Sequence, residues 1–245
     1  MSARQTVLLV GGTGRTGGRV LAQLLDRGVA VRAIVRSRSR LPEGVADHSD
    51  LTVIEADLLF QSDHELRQLV RGCDAVISCL GHVVSLKGVF GPPRDLVTRA
   101  TRRLCQAIEA SQSAAPAKFV LMSSVSVNQP EGRDTRRGSL EKVVLSAMRT
   151  LVPPAGDNQR AADFLSREVG TASTSVRWVA VRPDTLIEGD VSDYDAHEDL
   201  VSSLFRPDKT NMANVAHFMC ELVTSEDAWR AWDGTLPVVV NAATT

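Results

Sequence analysis

The apolar run Thr6–Val10 leads directly into Gly11, Gly12, Thr13, Gly14, Arg15, Thr16, Gly17 and Gly18. A strand, a glycine-rich turn and a helix in that order constrain the chain more than any other stretch. Gly11, Gly14 and Gly17 stand three apart, so a tight turn, a side-chain-free approach for a pyrophosphate and a close helix-strand contact each fall on a residue without a Cβ. The free N–H groups at the start of the helix expected over Arg15–Asp26 would face the anion. Thr13, Arg15 and Thr16 complete the cradle. Spaced glycines alone also describe a plain strand-to-helix turn, so the neighbouring segments decide.

A second strand, Ala30–Arg36, follows Gly28 and closes a strand-helix-strand unit of about thirty residues. At its end a carboxylate would meet a ribose 2′-hydroxyl, whereas a guanidinium suits a 2′-phosphate. This chain has Arg36 there, with Arg38 and Arg40 following and Arg15 in the cradle. A guanidinium grips phosphate through two parallel hydrogen bonds, so the cofactor expected is NADP(H). Arg38 and Arg40 read equally well as a solvated loop.

Further strands are predicted at Leu51–Glu55, Ala75–Cys79, Lys118–Met122, Val176–Arg182 and Val238–Asn241. Helices are predicted at His64–Val70, Pro93–Ala110, Gly138–Leu151 and Gln159–Val169. Alternation of this kind implies an α/β fold, a parallel sheet covered on both faces with its loops along one edge. The helix at 138–151 is amphipathic, and such a stripe is expected to face the core. With 245 residues and 43% hydrophobic content, residues 1–245 are expected to form one domain, with about 184–237 supplying a small substrate lobe. A net charge of −1 gives no electrostatic case for a nucleic-acid partner. The four cysteines, Cys73, Cys79, Cys105 and Cys220, have neither metal-ligand nor C-x-x-C spacing, so no metal is expected and reduced, buried thiols are. No apolar stretch is long enough to span a bilayer, and the amino terminus lacks a signal-peptide core, so no membrane partner and a cytoplasmic location are expected.

Gly11–Gly17, Glu55-Ala-Asp-Leu58, Ser78-Cys-Leu-Gly81, Val120–Val127 and Val181-Arg-Pro183 together resemble the short-chain dehydrogenase/reductase superfamily. Within it they resemble the atypical NmrA-like, NAD(P)H-binding group that includes the flavin/biliverdin reductase type. The resemblance is dense over residues 6–184 and implies a Rossmann-type doubly wound sheet. It also implies that Asp57 and Leu58 border the adenine, Asp57 otherwise reading as a turn cap. Cys79, Leu80 and Gly81 would line the cofactor beside the ribose, Ser123 would do so at the next strand end, and Pro183 would mark the turn over the nicotinamide. Cys79 reads as an inert small hydrophobe in chemical terms.

The superfamily's carbonyl chemistry uses a serine with a Y-x-x-x-K pair. Ser124 matches the serine, but Ala155 falls at the tyrosine position and Gln159 at the lysine position, beside a helix start broken by Pro153, Pro154 and Gly156. Tyr194 is the single tyrosine, with no lysine four residues later. Flavins, quinones and conjugated tetrapyrroles need no phenol acid, since two rings held in contact away from water suffice. The segment Gly81–Pro93 would form one pocket wall, Phe90 offering a flat surface, His82 or Ser124 a hydrogen bond or a proton, and Lys87 facing solvent. His82 reads more readily as an exposed loop histidine. Tyr194, His197 and Phe205 are further wall candidates. Three readings stay open: an NADPH-dependent reductase acting on a small planar acceptor, a non-catalytic NADP(H) sensor of the NmrA type, and a sugar-nucleotide epimerase or dehydratase, which would require the missing pair. Oligomeric state is not readable from the sequence.

Overall fold

The computed structural model describes residues 4–82, 91–130, 134 and 136–243. Eight strands form one sheet: β1 (Thr6–Val10), β2 (Ala30–Val35), β3 (Leu51–Glu55), β4 (Ala75–Ser78), β5 (Ala117–Met122), β6 (Val176–Pro183), β8 (Tyr194–His197) and β10 (Val238–Asn241). Their order is β3-β2-β1-β4-β5-β6-β10-β8, and every pairing is parallel except that of the edge strand β8 with β10. Two short strands, β7 (Thr185–Ile187) and β9 (Lys209–Asn211), form a separate parallel pair. The order reverses between β1 and β4, and loops at that switch point open a crevice at the strands' carboxyl ends.

The central strands are mostly apolar because both faces are covered. Leu8, Val10, Val76, Phe119, Leu121 and Trp178 enter one core beneath α2 (Asp63–Val70), α3 (Leu96–Ser111) and α5 (Pro153–Asp163). Val7, Leu9, Ile77, Val120 and Val179 enter the other, beneath α1 (Arg15–Asp26), α6 (Met212–Thr224) and α7 (Glu226–Trp232). The period of two along each strand thus divides its side chains between two cores.

Several helix expectations change. The helix expected from Pro93 begins at Leu96, where the buried Asp157 carboxylate accepts the N–H groups of Val97 and Thr98, at 2.8 and 3.1 Å. Pro153 and Pro154 start α5 instead of breaking it, since a proline in the first turn loses no hydrogen bond there. The helix then continues as a π-helical stretch over Phe164–Val169. Neither α6 nor α7 was expected. Ten of the 13 residues of α6 are buried, so it lacks the one-sided stripe that marks a surface helix. Helix α4 (Ser139–Leu151) shows the converse: only Glu141 and Leu145 are buried, while Leu140, Val143 and Leu151 are exposed. Its apolar stripe does not face the core as expected.

Candidate functional site

A cleft of about 540 Å³ runs along the carboxyl ends of β1, β2, β3 and β4. It brings together Gly11, Thr13, Gly14, Arg36, Asp57, Leu58, Cys79, Leu80 and Gly81, nine of the residues singled out in the sequence. The three glycines differ in what surrounds them. Gly11 has φ +82°, and a Cβ there would lie 2.6 Å from the Cys79 carbonyl group. At Gly17 a Cβ would lie 2.1 Å from the Gly11 oxygen, so this residue sets the close packing of α1 on the turn. Gly14 is exposed, lines the cleft and caps α1. That helix has no side-chain cap and no acidic residue in its first turn. A pyrophosphate fits such an end, where backbone N–H groups and the helix dipole are left for an anion.

Arg36 and Arg40 line the cleft at the end of β2. Among the described residues neither guanidinium has a hydrogen bond or ion pair. Arg38, between them, is tied to the Ala46 carbonyl at 2.8 Å and the Asp47 carboxylate at 3.2 Å. Asp57 combines its two expected roles: Oδ1 accepts the Leu59 N–H at 3.0 Å, and the residue lines the cleft. Phe60, 86% exposed, lines the same end and was missed in the sequence; a lone aromatic past a predicted strand carried no periodic signal.

Other singled-out residues lie elsewhere. Arg15 turns away from the cleft and, with Arg19, holds Glu188; its Nη2 donates to Glu188 Oε1 at 2.6 Å. These guanidinium groups keep the Glu188 carboxyl below its usual range. Thr16 and Gly17 are buried under the turn, Ser123 is buried with no hydroxyl partner among the described residues, and Pro183 is buried at the end of β6. The Gln159 amide is taken up by the Asn128 main chain, accepting its N–H at 2.8 Å and donating to its carbonyl at 3.2 Å, and by Asp163 at 3.0 Å. It braces the segment after β5 and is not a cleft-lining residue. His82 is no exposed loop histidine: its side chain is 5% exposed, and Nε2 lies 3.0 Å from Asp157 Oδ2. Burial raises the Cys79 thiol well above its usual range, so it stays protonated.

Ser124 lines a second cavity of about 270 Å³ past the ends of β5 and β6, with Ser126, Arg137, Asp184, Thr185 and Ser203. Its Oγ accepts the Ser126 N–H at 3.2 Å. No tyrosine or lysine is among the described residues lining either cavity. Tyr194 lies on the edge strand β8, its hydroxyl 2.8 Å from His217 Nδ1, and burial pushes the phenol up to about 12. His197 pairs with Val238 on that strand, and Phe205 is 59% exposed. Phe90 and Lys87 lie outside the described residues.

Behind this second cavity Arg182, fully buried in β6, pairs with Asp134 at 3.0 Å. It also donates to the carbonyls of Leu236, Val127 and Glu198. The sequence showed Val181-Arg-Pro183 as a motif, but a distant partner such as Asp134 leaves no local signature. Among the described residues no helix is long and apolar enough to cross a membrane.

A profile of the family described as NAD(P)H-binding matches residues 11–226. An uncharacterized chloroplastic protein of Arabidopsis thaliana is 32% identical over 128 residues, a segment covering 50% of this chain and 42% of that relative. The chain thus spans less than half of the relative's length. Among solved structures, a short-chain dehydrogenase/reductase of Veillonella parvula in complex with NADP superposes with a TM-score of 0.70 at 14% identity, covering 98% of this chain and 96% of that one. A candidate NADH-flavin reductase of Streptococcus pneumoniae superposes with a TM-score of 0.66 at 17% identity, covering 97% and 100% of the two chains. At these identities the likeness establishes the fold.

Proposed function

The chain belongs to the NAD(P)H-binding family, and from that premise we propose that it is an NADPH-dependent reductase of a planar, electron-poor acceptor such as a flavin or quinone. The observation that carries this reading is a pair of cavities along one edge of the sheet. Among the described residues, one is a nucleotide-sized cleft with two unpaired arginines, and the other is lined by Ser124 without tyrosine or lysine. The Gly11–Gly17 turn and the N-terminus of α1 would hold the pyrophosphate, and Arg36 with Arg40 the 2′-phosphate. Asp57 and Phe60 would border the adenine. When bound, NADPH supplies the reducing equivalent for the acceptor ring. Ser124 would orient that ring by a hydrogen bond, and the buried Cys79 thiol would keep water and charge from the floor of the cleft.

A second reading, the NADP(H) sensor, draws support from the exposed Leu140, Val143 and Leu151 on α4, a surface a partner protein could cover. NADPH oxidation against a panel of flavins, quinones and simple ketones separates the readings. Turnover of flavin or quinone that falls at least about tenfold in Ser124→Ala is expected. Tight NADPH binding without turnover on any acceptor would favour the sensor, and fast turnover of ordinary ketones would sink both.

A further inference from the structure

We propose that the cavity beyond β5 and β6 selects acceptors bearing an anionic group, a carboxylate or a phosphate, which Arg137 binds. Calling the ligand an acceptor rests on the reductase reading; the anion site itself rests on the cavity. Arg137 lines that cavity and is 8% exposed. One of its Nη2 hydrogens goes to the Val125 carbonyl. Its Nε is closed off from solvent with no acceptor, and among the described residues no carboxylate stands within ion-pairing distance of the guanidinium.

Nearby acids are already engaged. Asp134 pairs with Arg182 and accepts the Gln129 N–H at 2.6 Å. Glu141 accepts from Gly138 N at 3.1 Å and Leu204 N at 2.5 Å. Asp184 accepts from Thr185 N at 2.7 Å, from Asp208 N at 3.0 Å and from the Ser202 hydroxyl. Burial pulls the Arg137 guanidinium below arginine's usual range and the charges of Arg149 and Arg182 pull it the same way, while Asp134 and Glu141 oppose the shift. A buried cation without a contacting counter-charge is costly, and an anion entering the cavity would relieve that cost. Hydroxyls of Ser124, Ser126 and Ser203 line the same cavity and offer further donors. The contrast with Arg182 is direct: fully buried, it serves the fold and has its carboxylate, whereas Arg137, 8% exposed, opens on a cavity and has none among the described residues.

Two matched pairs of planar probes test this on the full chain saturated with NADP⁺. FMN and riboflavin share one ring system and differ by a phosphate; naphthalene-2-carboxylate and its carboxamide differ by a charge. By calorimetric titration the charged member of at least one pair is expected to bind about tenfold or more tightly. That preference should vanish in Arg137→Gln and shrink in Arg137→Lys, which keeps the charge but not the planar fork. Unchanged NADP⁺ affinity certifies each variant as folded, and Arg137→Lys carries the test if Arg137→Gln fails that check. Preference in the FMN pair alone assigns a phosphate, and in the naphthoate pair alone a carboxylate. No preference in either pair, or a preference that survives Arg137→Gln, overturns the proposal. A charged probe preferred, with no flavin or quinone reduced by NADPH, would retire the reductase reading and leave the anion site standing. Flavin or quinone turnover with no preference in either pair would do the reverse.

Discussion

An added Cβ at Gly14 meets only the Gly11 carbonyl oxygen, at 3.2 Å, whereas at Gly17 it would lie 2.1 Å from that same atom. Two glycines of one motif therefore respond differently to substitution. Gly14→Val should keep its melting temperature within a few degrees yet lose NADPH binding, because on the proposed reading the isopropyl group would take the place of the pyrophosphate. Gly17→Val should lower the melting temperature itself, since backbone cannot yield as a side chain can. Equal melting curves for the two variants would contradict this division. On the proposed reading Arg36 and Arg40 decide the cofactor: Arg36→Ala should weaken NADPH by about tenfold to a hundredfold and leave NADH unchanged in fluorescence titrations. The sequence placed Arg36 by strand register but could not rank Arg38 against Arg40. The distinction comes from Ala46 and Asp47, which tie down Arg38 and leave Arg40 on the cleft.

Strands and first-half helices were legible because each carries its own periodicity: β3 and α1 begin and end where predicted, and β2 ends at Val35, one residue before the predicted Arg36. What was not legible depends on partners distant in sequence. Helix α6 is buried on nearly every side, α3 starts where Asp157 from α5 reaches it, and β6 places a charged Arg182 in the core because Asp134 meets it there. Arg182→Met should destabilise the fold by about 3–5 kcal/mol in urea unfolding, because Asp134 is left buried without its counter-charge. Pairing it with Asp134→Leu should recover much of that loss; a double variant no better than the single one would show that the carbonyl bonds of Arg182, and not the ion pair, set its role. For the candidate site the same rule holds. Residues at the ends of β1 to β4 fell on the cleft and those after β5 and β6 did not, while Gln159 and His82 were drawn into structural bonds with Asn128 and Asp157 that no local pattern announces.

At the scale of the whole molecule, the strand order and the strands' common direction follow from alternating elements and the handedness of their crossovers. The position of the second cavity does not, since it depends on how segments after β5, β6 and β8 meet. Global stability should fall in alkali. Burial raises the Cys73 thiol from 9.0 to about 11, the Cys220 thiol from 9.0 to about 12 and the Tyr194 phenol from 10.0 to about 12, and it raises Cys79 and Cys105 as well. The folded chain holds these protons more tightly than the unfolded one, so the stabilisation they represent is whole below about pH 9 and is lost as pH rises toward about 12. The urea midpoint should therefore be steady from about pH 7 to 8 with respect to these groups and decline from about pH 9 upward; a flat midpoint through about pH 11 would refute it. The same four thiols divide evenly across the sheet, Cys73 and Cys105 in one core and Cys79 and Cys220 in the other. All four are buried, so alkylation should be slow in the folded chain and speed up as the fold opens. Mass-resolved labelling would then work as a pair of clocks built into the native sequence, one for each side of the sheet. Because Cys79 lies beneath the Gly11 turn, its clock should be the one that NADPH slows most.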